Sequence, residues 1–254
     1  MQPELLTETT PEQAAEYIMD GRFGLQEKRD GVRLLVRRQG NKFEAWNKKG
    51  EPTAVHPVLT STLRSLNVDE FILDGEFERP YFYCWDLLSA QGIDLSAYPY
   101  GERYKILQVF RGCPTVTVLP CWTDEGDKER MVYEFRTQRA EGVVFKNLET
   151  AYRAGRAHQH FKLKFHQSAT ARVLEVDPFR DRVSLEMLDG NLWRTVCGLK
   201  VPNGAVRQGE FVEVRYLSGT RDKKLVQPIF LRVRDDVSQE DCGFEQVKIS
   251  KKWD

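Results

Sequence analysis

The chain has 254 residues, of which 41% are hydrophobic, and its 38 Lys and Arg residues balance 38 Asp and Glu residues. Such a chain can bury a substantial core, as one large domain or two moderate ones, and its zero formal net charge argues against a strongly nonspecific polyanion binder. Lys, Arg and His are nevertheless concentrated in residues 28–49 and 151–166. A phosphate-binding face is therefore compatible with overall neutrality, and we expect nucleic-acid binding to be modest and salt-sensitive.

Cysteine spacing and the N-terminal sequence indicate the compartment. The five cysteines lie far apart, and none has the Cys or His spacing of a zinc site. The N-terminus lacks a basic start followed by an apolar stretch, and no apolar run is long enough to cross a bilayer. We therefore expect a reducing compartment, no structural metal and no membrane, which means the cytoplasm, or the host cytoplasm if the gene is viral. The cysteines are Cys84, Cys113, Cys121, Cys197 and Cys242.

The first predicted element is a helix that starts after Thr10. Thr10 can act as its N-cap, Pro11 suits its first turn and Gln13 completes a capping box. Gly21 then ends the helix. We assign this helix a packing role only.

Three short strands follow the helix, over residues 24–28, 32–38 and 42–46. The first two are joined through a tight turn at Asp30-Gly31. Lys28 therefore stands at the end of a strand beside a turn, where its amine can project into a cleft.

The middle of the chain alternates between helices and strands. Its patterns predict helices over residues 57–66 and 131–139, and strands over 71–77 and 81–85. Between residues 100 and 138 helical and strand signals are mixed, so the other elements of that segment stay open.

A strand predicted over residues 161–165 carries two cations. Because side chains alternate across a strand, Lys162 and Lys164 share one face, and the apolar residues of the strand share the other. The two ammonium groups therefore point the same way from a hydrophobic anchor. Taken alone, this pattern is also typical of an edge strand whose lysines discourage aggregation.

Residues 166–170 are polar and predict a hinge between two domains. In the last third of the chain, five short strands are separated by Asp-Gly, Asn-Gly and Ser-Gly turns. This arrangement is typical of a small barrel of the oligonucleotide-binding type. The predicted strands span residues 171–176, 182–188, 192–196, 211–217 and 225–234.

The best candidate nucleophile is Lys28, which begins a K-x-D-G-x-R sequence. An amine with a pKa of about 10.4 is mostly ammonium at neutral pH. It attacks phosphorus only where burial or nearby positive charge favours its neutral form. Arg29 and Arg33 begin to supply such surroundings, although any surface hairpin can carry the same string.

Six further segments follow Lys28 in a characteristic order. Each is weak evidence alone, because charged residues and glycine are common, but together they span nearly the whole chain. In this order they resemble motifs I, Ia, III, IIIa, IV, V and VI of the covalent nucleotidyltransferase superfamily, and most of all those of ATP-dependent DNA ligases. The seven segments are residues 28–33, 47–50, 73–76, 83–88, 141–146, 162–164 and 228–236.

The resemblance implies an α+β fold in two domains. Residues 1–167 would form a nucleotidyltransferase domain of ATP-grasp-like antiparallel sheets with helices, and residues 168–254 an OB-fold β-barrel. It also implies a minimal monomeric DNA ligase that uses ATP and Mg²⁺. Such an enzyme carries AMP on Lys28, transfers it to the 5′-phosphate at a nick in duplex DNA, and seals the nick to the 3′-hydroxyl.

The resemblance also assigns roles to individual residues. Lys28 would attack the α-phosphorus, Asp30 would order the turn and the nick end, and Lys162 and Lys164 would contact the α-phosphate. Glu141, with Glu76, would help to hold the metal. The residues implied in binding the nucleotide are Gln26, Glu27, Arg33, Glu76, Trp85, Lys146, Arg232 and Arg234. Those implied in binding the nucleic acid are Lys48, Lys49, Arg153 and Arg156.

Three positions depart from the family pattern. Lys48 stands where an Arg usually grips the nick 5′-phosphate, and a lysine lacks the bidentate fork of arginine. Trp85 replaces the usual Phe, and its larger ring should preserve stacking on adenine. Val237 follows Asp236 where the family has Lys, which puts the speed of self-adenylylation in doubt.

Three other functions stay open on the sequence alone. A capping guanylyltransferase shares the lysine chemistry but uses GTP. An RNA ligase is also compatible, although RNA ligases often carry a different C-terminal domain. A non-catalytic nucleic-acid-binding module would explain the barrel and the basic loops, and it predicts no covalent nucleotide.

Overall fold

The computed structural model of the chain describes residues 1–66, 68–112, 115–177 and 179–250. Their contacts divide them into two compact units, of which the first is Met1–Lys164 and the second begins at Phe165. The sequence predicts the boundary between residues 167 and 168. Both units are rich in strands and contain helical segments, so the prediction of a mixed helix and sheet fold is confirmed.

The first unit contains two sheets and four α-helices among its described residues. One sheet has the strand order β1-β11-β10-β2, and the other has the order β5-β4-β3-β6-β7-β8, with β9 parallel to β7. In chain order the elements are β1 (Thr7–Glu8), α1 (Pro11–Met19), β2 (Phe23–Lys28), β3 (Val32–Gln39), β4 (Lys42–Trp46), β5 (Pro52–Thr53), α2 (Pro57–Arg64), β6 (Glu70–Glu78), β7 (Tyr81–Ala90), β8 (Ile93–Asp94), α3 (Tyr100–Leu107), a 3₁₀ helix (Gln108–Phe110), β9 (Val116–Val118), α4 (Glu125–Thr137), β10 (Gly142–Asn147) and β11 (His160–Lys164).

The four-stranded sheet buries one face, because side chains alternate along its strands and the large apolar ones lie on that face. Leu25 and Phe145, which are opposite each other on β2 and β10, are fully buried. Tyr17 of α1 covers this face, with its ring 4.7 Å from that of Phe23 and stacked at 4.6 Å on that of Phe161. Burial of rings of this size is a main source of stabilisation in a domain. The opposite face of the same strands carries Val144 and most of the polar side chains of these strands.

The larger sheet packs on α2 and α3. Leu59 and Leu63, one turn apart on α2, are both fully buried, as is Leu107 of α3. Phe71 of β6 contacts Phe110 edge-on at 5.4 Å. This core fixes β3, β6 and β7, which carry several of the predicted site residues.

The helix predictions differ in accuracy. The cap at Thr10 and its capping box with Gln13 are confirmed, and α2 ends two residues before the predicted limit. The helix predicted over residues 131–139 instead begins at Glu125. The reason is Asp124, whose side chain accepts a hydrogen bond from the Asp127 N–H and so caps the helix earlier.

A fully buried ion pair joins α3 to β7. Arg103 Nε and Nη2 donate to the two oxygens of Asp86 at 2.8 and 2.7 Å, and both side chains are at most 1% exposed. A third guanidinium nitrogen, Nη1, donates to the Tyr98 carbonyl at 2.6 Å. Because both charges are removed from water, each is stabilised mainly by the opposite charge of its partner.

We predict that Asp86→Ala lowers the free energy of unfolding by about 3–5 kcal/mol, because it leaves the Arg103 guanidinium buried and uncompensated. Urea unfolding measures this loss. The matched control is Asp127→Ala, which removes an exposed partner of Arg130 and should change the same free energy by less than about 1 kcal/mol. Equal effects of the two substitutions would contradict the prediction.

The second unit is built on one five-stranded antiparallel sheet with the order β14-β13-β12-β15-β18. A two-stranded sheet pairs β16 with β17. The elements are β12 (Gln167–Asp177), β13 (Arg182–Asp189), β14 (Leu192–Lys200), β15 (Phe211–Tyr216), β16 (Ser218–Gly219), β17 (Leu225–Val226), β18 (Ile229–Arg234) and two 3₁₀ helices (Gln239–Cys242, Phe244–Gln246). Its core includes Leu185, Met187, Val196 and Val214, which are fully buried.

One strand prediction for this unit is wrong, and the predicted hinge segment has a regular structure. The strand predicted over residues 225–234 is broken into β17 and β18, because Gln227 has a positive φ of 52° and Pro228 has no N–H to donate. The hinge predicted over residues 166–170 lies mostly in β12, where Ser168 pairs with Arg215 of β15.

The cysteine and membrane expectations meet two findings. None of Cys84, Cys121, Cys197 and Cys242 forms a disulfide among the described residues, and Cys113 lies outside them. Within the part of the chain that the structure describes, no helix is both long enough and apolar enough to cross a bilayer.

Candidate functional site

Strands β2, β10 and β11 bring the predicted lysines onto the polar face of the four-stranded sheet. In one row across the sheet, Lys28 is opposite Gly142, and Gly142 is opposite Lys164. Two residues along β11, Lys162 is opposite Val144. Residues two apart on a strand share a face, so the three amines belong to one surface.

Gly142 is the residue that lets these strands approach. A Cβ at this position would overlap the Leu163 carbonyl oxygen and lie 2.9 Å from the Lys164 Cα. Any side chain here would therefore push β10 away from β11 and separate Lys28 from Lys164. The close approach of β10 and β11 therefore explains why residue 142 is a glycine.

We predict that Gly142→Ala lowers the free energy of unfolding by about 1–3 kcal/mol, as overpacking does. Gly126→Ala is the matched control, because its Cβ would lie 3.4 Å from Asp124 Oδ1, an ordinary contact at the start of α4. That control should be neutral or stabilising by up to about 1 kcal/mol. Urea unfolding of both variants gives the comparison, and a neutral Gly142→Ala would contradict the steric role.

Lys28 is held by Glu141. Lys28 Nζ donates to Glu141 Oε2 at 2.6 Å, and the two side chains are 19% and 13% exposed. Glu141 comes immediately before β10, in the residue next to Gly142. The amine and the carboxylate therefore meet at the end of the lysine-bearing surface.

The electrostatics of this surface are set by neighbouring lysines. Burial lowers the pKa of Lys162, and the positive charge of Lys164 lowers it further, with smaller effects in the same direction from Lys48 and Lys28. Glu8 opposes them, because its charge raises the pKa of Lys162. A phosphate group placed here would meet several cations at once.

Glu8 is a site residue that sequence reasoning missed. Strand β1 runs parallel to β11 and places Glu8 beside Lys162, and Glu8 Oε1 lies 3.7 Å from Lys164 Nζ. A two-residue strand has no periodicity, so only the acidic character of the N-terminal segment could have drawn attention to it.

The two arginines near Lys28 are engaged with acids. Arg29 pairs with Glu78 and Glu27, and Arg33 donates to both oxygens of Asp74 at 3.0 and 2.6 Å. The positive charge that the sequence predicts near Lys28 from these arginines is thus offset by carboxylates. The lysines of β11 supply the positive charge instead.

The larger sheet carries a second group of predicted residues. Glu76 is opposite Arg33 on adjacent strands, and its Oε1 accepts a hydrogen bond from the Gly31 N–H at 3.1 Å. The Arg33 guanidinium lies 5.3 Å from the centre of the Trp85 ring, and Trp85 is half-buried. Asp30, in the turn between β2 and β3, is also half-buried. The face of Trp85 is therefore shared with a cation.

The residues before Lys28 on β2 divide between the two faces. Gln26 lies on the same face as Lys28, but it is 1% exposed, and its amide donates to the Leu119 carbonyl at 3.3 Å. Glu27 lies on the opposite face, because side chains alternate, and it pairs with Arg29. The structure thus places Glu27, which the resemblance implies in nucleotide binding, on the face opposite the lysine surface.

Lys146 is on the lysine face but below the surface. It is 5% exposed, and its amine lies 4.9 Å from the centre of the Tyr100 ring. Burial lowers its pKa, while the charges of Asp86, Glu4 and Asp74 raise it. Its ammonium group therefore belongs to a buried charged network and not to the exposed row of lysines.

The four residues predicted to bind nucleic acid lie on two exposed loops. Lys48 and Lys49 follow β4, where the Asn47 side chain accepts a hydrogen bond from the Lys49 N–H at 2.8 Å. Arg153 and Arg156 are exposed in the loop between β10 and β11.

The N-terminal segment touches both of these loops. A Cβ on Gly50 would lie 3.1 Å from the Met1 carbonyl oxygen, and the Gly155 N–H donates to the Pro3 carbonyl at 3.0 Å. The first three residues therefore connect the two basic loops.

Arg232 and Arg234 belong to the second unit, on β18. Arg232 donates to Glu213 at 2.8 Å, and Arg234 donates to both oxygens of Asp236 at 2.6 and 2.8 Å. Each arginine therefore has an acidic partner within its own unit.

The carboxylates near Lys28 do not form a metal site by themselves. Among the described residues, no cluster of three or more His, Cys, Asp or Glu side chains could hold a metal ion. A magnesium ion that arrives with nucleotide phosphates needs only one or two carboxylates, and Glu141 at the end of the lysine surface fits that requirement. Glu76 is engaged by the Gly31 N–H.

By sequence, the chain is similar to known DNA ligases. No protein-family model matches the chain. It is 26% identical over 190 residues to DNA ligase 4 of Candida albicans, covering 54% of this chain and 20% of that protein. It is also 26% identical over 188 residues to a probable DNA ligase of Beutenbergia cavernae, covering 60% of this chain and 36% of that protein. The chain thus spans well under half the length of these curated relatives.

Comparison of structures gives the same kind of protein by fold. A Lig E DNA ligase, described as binding DNA with a minimal scaffold, aligns with a TM-score of 0.64 and 19% identity over 92% of this chain and 99% of that one. Mycobacterial DNA ligase D, complexed with ATP and MES, aligns with a TM-score of 0.56 and 18% identity over 95% and 97%. The relatives by sequence and the neighbours by fold are DNA ligases, and the resemblance of this chain to ATP-dependent DNA ligases is confirmed.

Proposed function

We propose that the chain is an ATP-dependent DNA ligase that seals nicks between a 5′-phosphate and a 3′-hydroxyl in duplex DNA. The observation that carries the proposal is the assembly of Lys28, Glu141, Lys162 and Lys164 across three strands of one sheet. One nucleophile, one carboxylate and two further cations are the groups that lysine attack on a phosphate requires.

In the first step, Lys28 Nζ bonds to the α-phosphorus of ATP, and the bond from that phosphorus to pyrophosphate breaks. The proton that Nζ gives up can pass to Glu141 Oε2, which lies 2.6 Å away. Lys162 and Lys164 stabilise the negative charge that builds up on the α-phosphate oxygens. Glu141 would also help to hold Mg²⁺, which would supply further neutralisation of the phosphate charge.

The next two steps take place at two different phosphorus atoms, first that of AMP and then that of the 5′-phosphate at the nick. The 5′-phosphate oxygen at the nick takes AMP from Lys28, which breaks the P–N bond and returns the amine. The adjoining 3′-hydroxyl then attacks the 5′-phosphate and releases AMP. Positioning and charge neutralisation account for most of the rate acceleration in such transfers. A preformed lysine surface supplies both.

The finer assignments belong to this proposal. We propose residues 1–167 as the adenylyltransferase domain and residues 168–254 as an OB-fold domain whose Arg232 and Arg234 hold the outer phosphates. Trp85 would stack on adenine, and Gln26, Glu76 and Arg33 would contact the nucleoside. The exposed loops that carry Lys48, Lys49, Arg153 and Arg156 would bind the DNA backbone. A monomeric state and a cytoplasmic location stay predictions.

A nick-sealing assay tests the proposal. The purified protein is incubated with Mg²⁺, a nucleotide and a duplex that carries one nick with a labelled 5′-phosphate. We expect sealing with ATP and none with GTP. Covalent labelling by GTP alone would favour a guanylyltransferase, and sealing of RNA strands alone would favour an RNA ligase. Binding to the nick without any covalent nucleotide would leave only a non-catalytic module.

A further inference from the structure

We propose that Arg29 is a positioning residue that holds the Lys28 amine in place by fastening the end of β2 to the larger sheet. This inference rests on the proposed function, because it concerns the nucleophile of that reaction. The group involved, here named the Arg29 clamp, consists of Arg29, Glu27, Glu78 and Tyr83.

In the Arg29 clamp, one guanidinium group makes contacts along two of its edges and on its face. Arg29 Nε and Nη2 donate to the two oxygens of Glu78 at 2.8 and 2.6 Å. Its Nη1 donates to Glu27 Oε2 at 2.9 Å, and its centre lies 3.9 Å from the centre of the Tyr83 ring. Bidentate pairing combined with stacking fixes both the position and the plane of a guanidinium group.

The Arg29 clamp crosses from one sheet of the first unit to the other. Arg29 directly follows β2 of the four-stranded sheet, whereas Glu78 and Tyr83 belong to β6 and β7 of the larger sheet. The pairing of β2 with β10 ends at Lys28 opposite Gly142. Beyond this point, the Arg29 side chain and the Gly31 N–H, which donates to Glu76, tie the turn to β6.

The charges of the Arg29 clamp are balanced within it. Burial alone would lower the pKa of Arg29, but the hydrogen bonds and charges of Glu78 and Glu27 raise it above its ordinary value. Glu27 and Arg29 are two residues apart and lie on the side of the chain opposite Lys28. Arg29 therefore acts on Lys28 through the backbone between them, and not as a neighbouring positive charge.

Arg29→Met and Arg29→Lys test the clamp in the full chain, with Arg22→Met as the matched control. Arg22 also pairs with both oxygens of one acid, Asp20, but within a single exposed turn. We expect Arg29→Met to slow AMP loading at saturating ATP by about 10- to 100-fold per folded molecule, because small misplacements of reacting groups cost that much. The ATP concentration at half-maximal rate should stay unchanged, and Arg29→Lys should be intermediate.

A second measurement follows the amine without ATP. Cyanate modifies neutral amines, and peptide mass spectrometry compares Lys28 with the exposed Lys105 in the same sample. We expect Lys28 to react severalfold faster in Arg29→Met, because its contact with Glu141 is loosened. If Arg29→Met does not fold, Glu78→Gln replaces it in both measurements and should shift them in the same direction.

The outcomes separate the clamp from the proposed function. Wild-type loading and cyanate reactivity in Arg29→Met would overturn the clamp. Weaker ATP binding with an unchanged maximal rate would also overturn it, because Arg29 would then be a nucleotide contact. A wild-type protein that takes no AMP would overturn the proposed function alone, and the cyanate measurement would still decide the clamp.

Discussion

Lys28→Ala is expected to abolish the covalent loading of AMP from ATP, with any residual rate at least about 10³-fold below that of the wild type, since the proposal gives the covalent bond to the Lys28 amine. The expectation follows from the position of Lys28 beside Glu141, on the surface that also carries Lys162 and Lys164. Incubation with α-labelled ATP, followed by denaturing electrophoresis, measures the covalent label directly.

Binding of nicked DNA gives this experiment its internal standard. The exposed cations predicted to bind DNA are on other loops, so Lys28→Ala should bind nicked duplex as the wild type does. Lys105→Ala serves as the matched control, because Lys105 is an exposed lysine on α3 that pairs with Glu102. Full labelling of Lys28→Ala would remove Lys28 from its proposed role.

Lys162→Ala and Lys164→Ala are each expected to slow AMP loading by about 10²–10³-fold, the usual cost of removing one group that stabilises transition-state charge. Both amines project from β11 on the face that carries Lys28. Single-turnover loading at saturating ATP isolates the chemical step from binding. Rates within twofold of the wild type in both variants would contradict the role of the pair.

The pH dependence distinguishes Lys162 from an ordinary lysine. Burial and the charge of Lys164 lower its pKa, so Lys162 loses its proton, and its attraction for phosphate, at a lower pH than an exposed lysine does. Lys162→Arg keeps its charge throughout this range. We expect the alkaline fall in loading rate to begin at a lower pH in the wild type than in Lys162→Arg. Coincident alkaline limbs would mean that Lys162 does not titrate there.

The lysine surface could be predicted from the sequence to a large extent, because it depends on local rules. Lys28 ends a strand beside an Asp-Gly turn, and Lys162 and Lys164 alternate with apolar residues on β11. Strand ends, turns and alternation are visible in short windows of sequence. The motif order then linked segments that are more than a hundred residues apart.

The contacts that sequence reasoning missed are long-range and depend on register. Nothing local shows that Glu8 would lie beside Lys162, that Arg103 would be buried against Asp86, or that Arg29 would reach Glu78 on another sheet. The first contact depends on strand pairing within a sheet, the second on the packing of α3 against β7, and the third on the approach of the two sheets. The cap at Asp124 is different, because its contact with the Asp127 N–H is local and the signal for it is present in the sequence.

Alternation also explains why Glu27 lies on the face opposite the lysines. Glu27 is next to Lys28 in sequence, yet adjacent residues of a strand face opposite sides, and Glu27 pairs with Arg29 there. Lys146 keeps the correct face but lies deeper, where Tyr100 and several carboxylates surround it. The order of the motifs identified the strands that carry these residues. How deeply each side chain is buried could be seen only in the structure.

The proposed function requires one amine, among the lysines of this sheet, to take a nucleotide onto itself. The most direct measurement is a peptide mass spectrum of the purified protein after incubation with ATP and Mg²⁺. We expect a mass increase of one AMP, confined to the peptide that carries Lys28. An adduct on a different peptide, or no adduct in a protein that seals nicks with ATP, would contradict it.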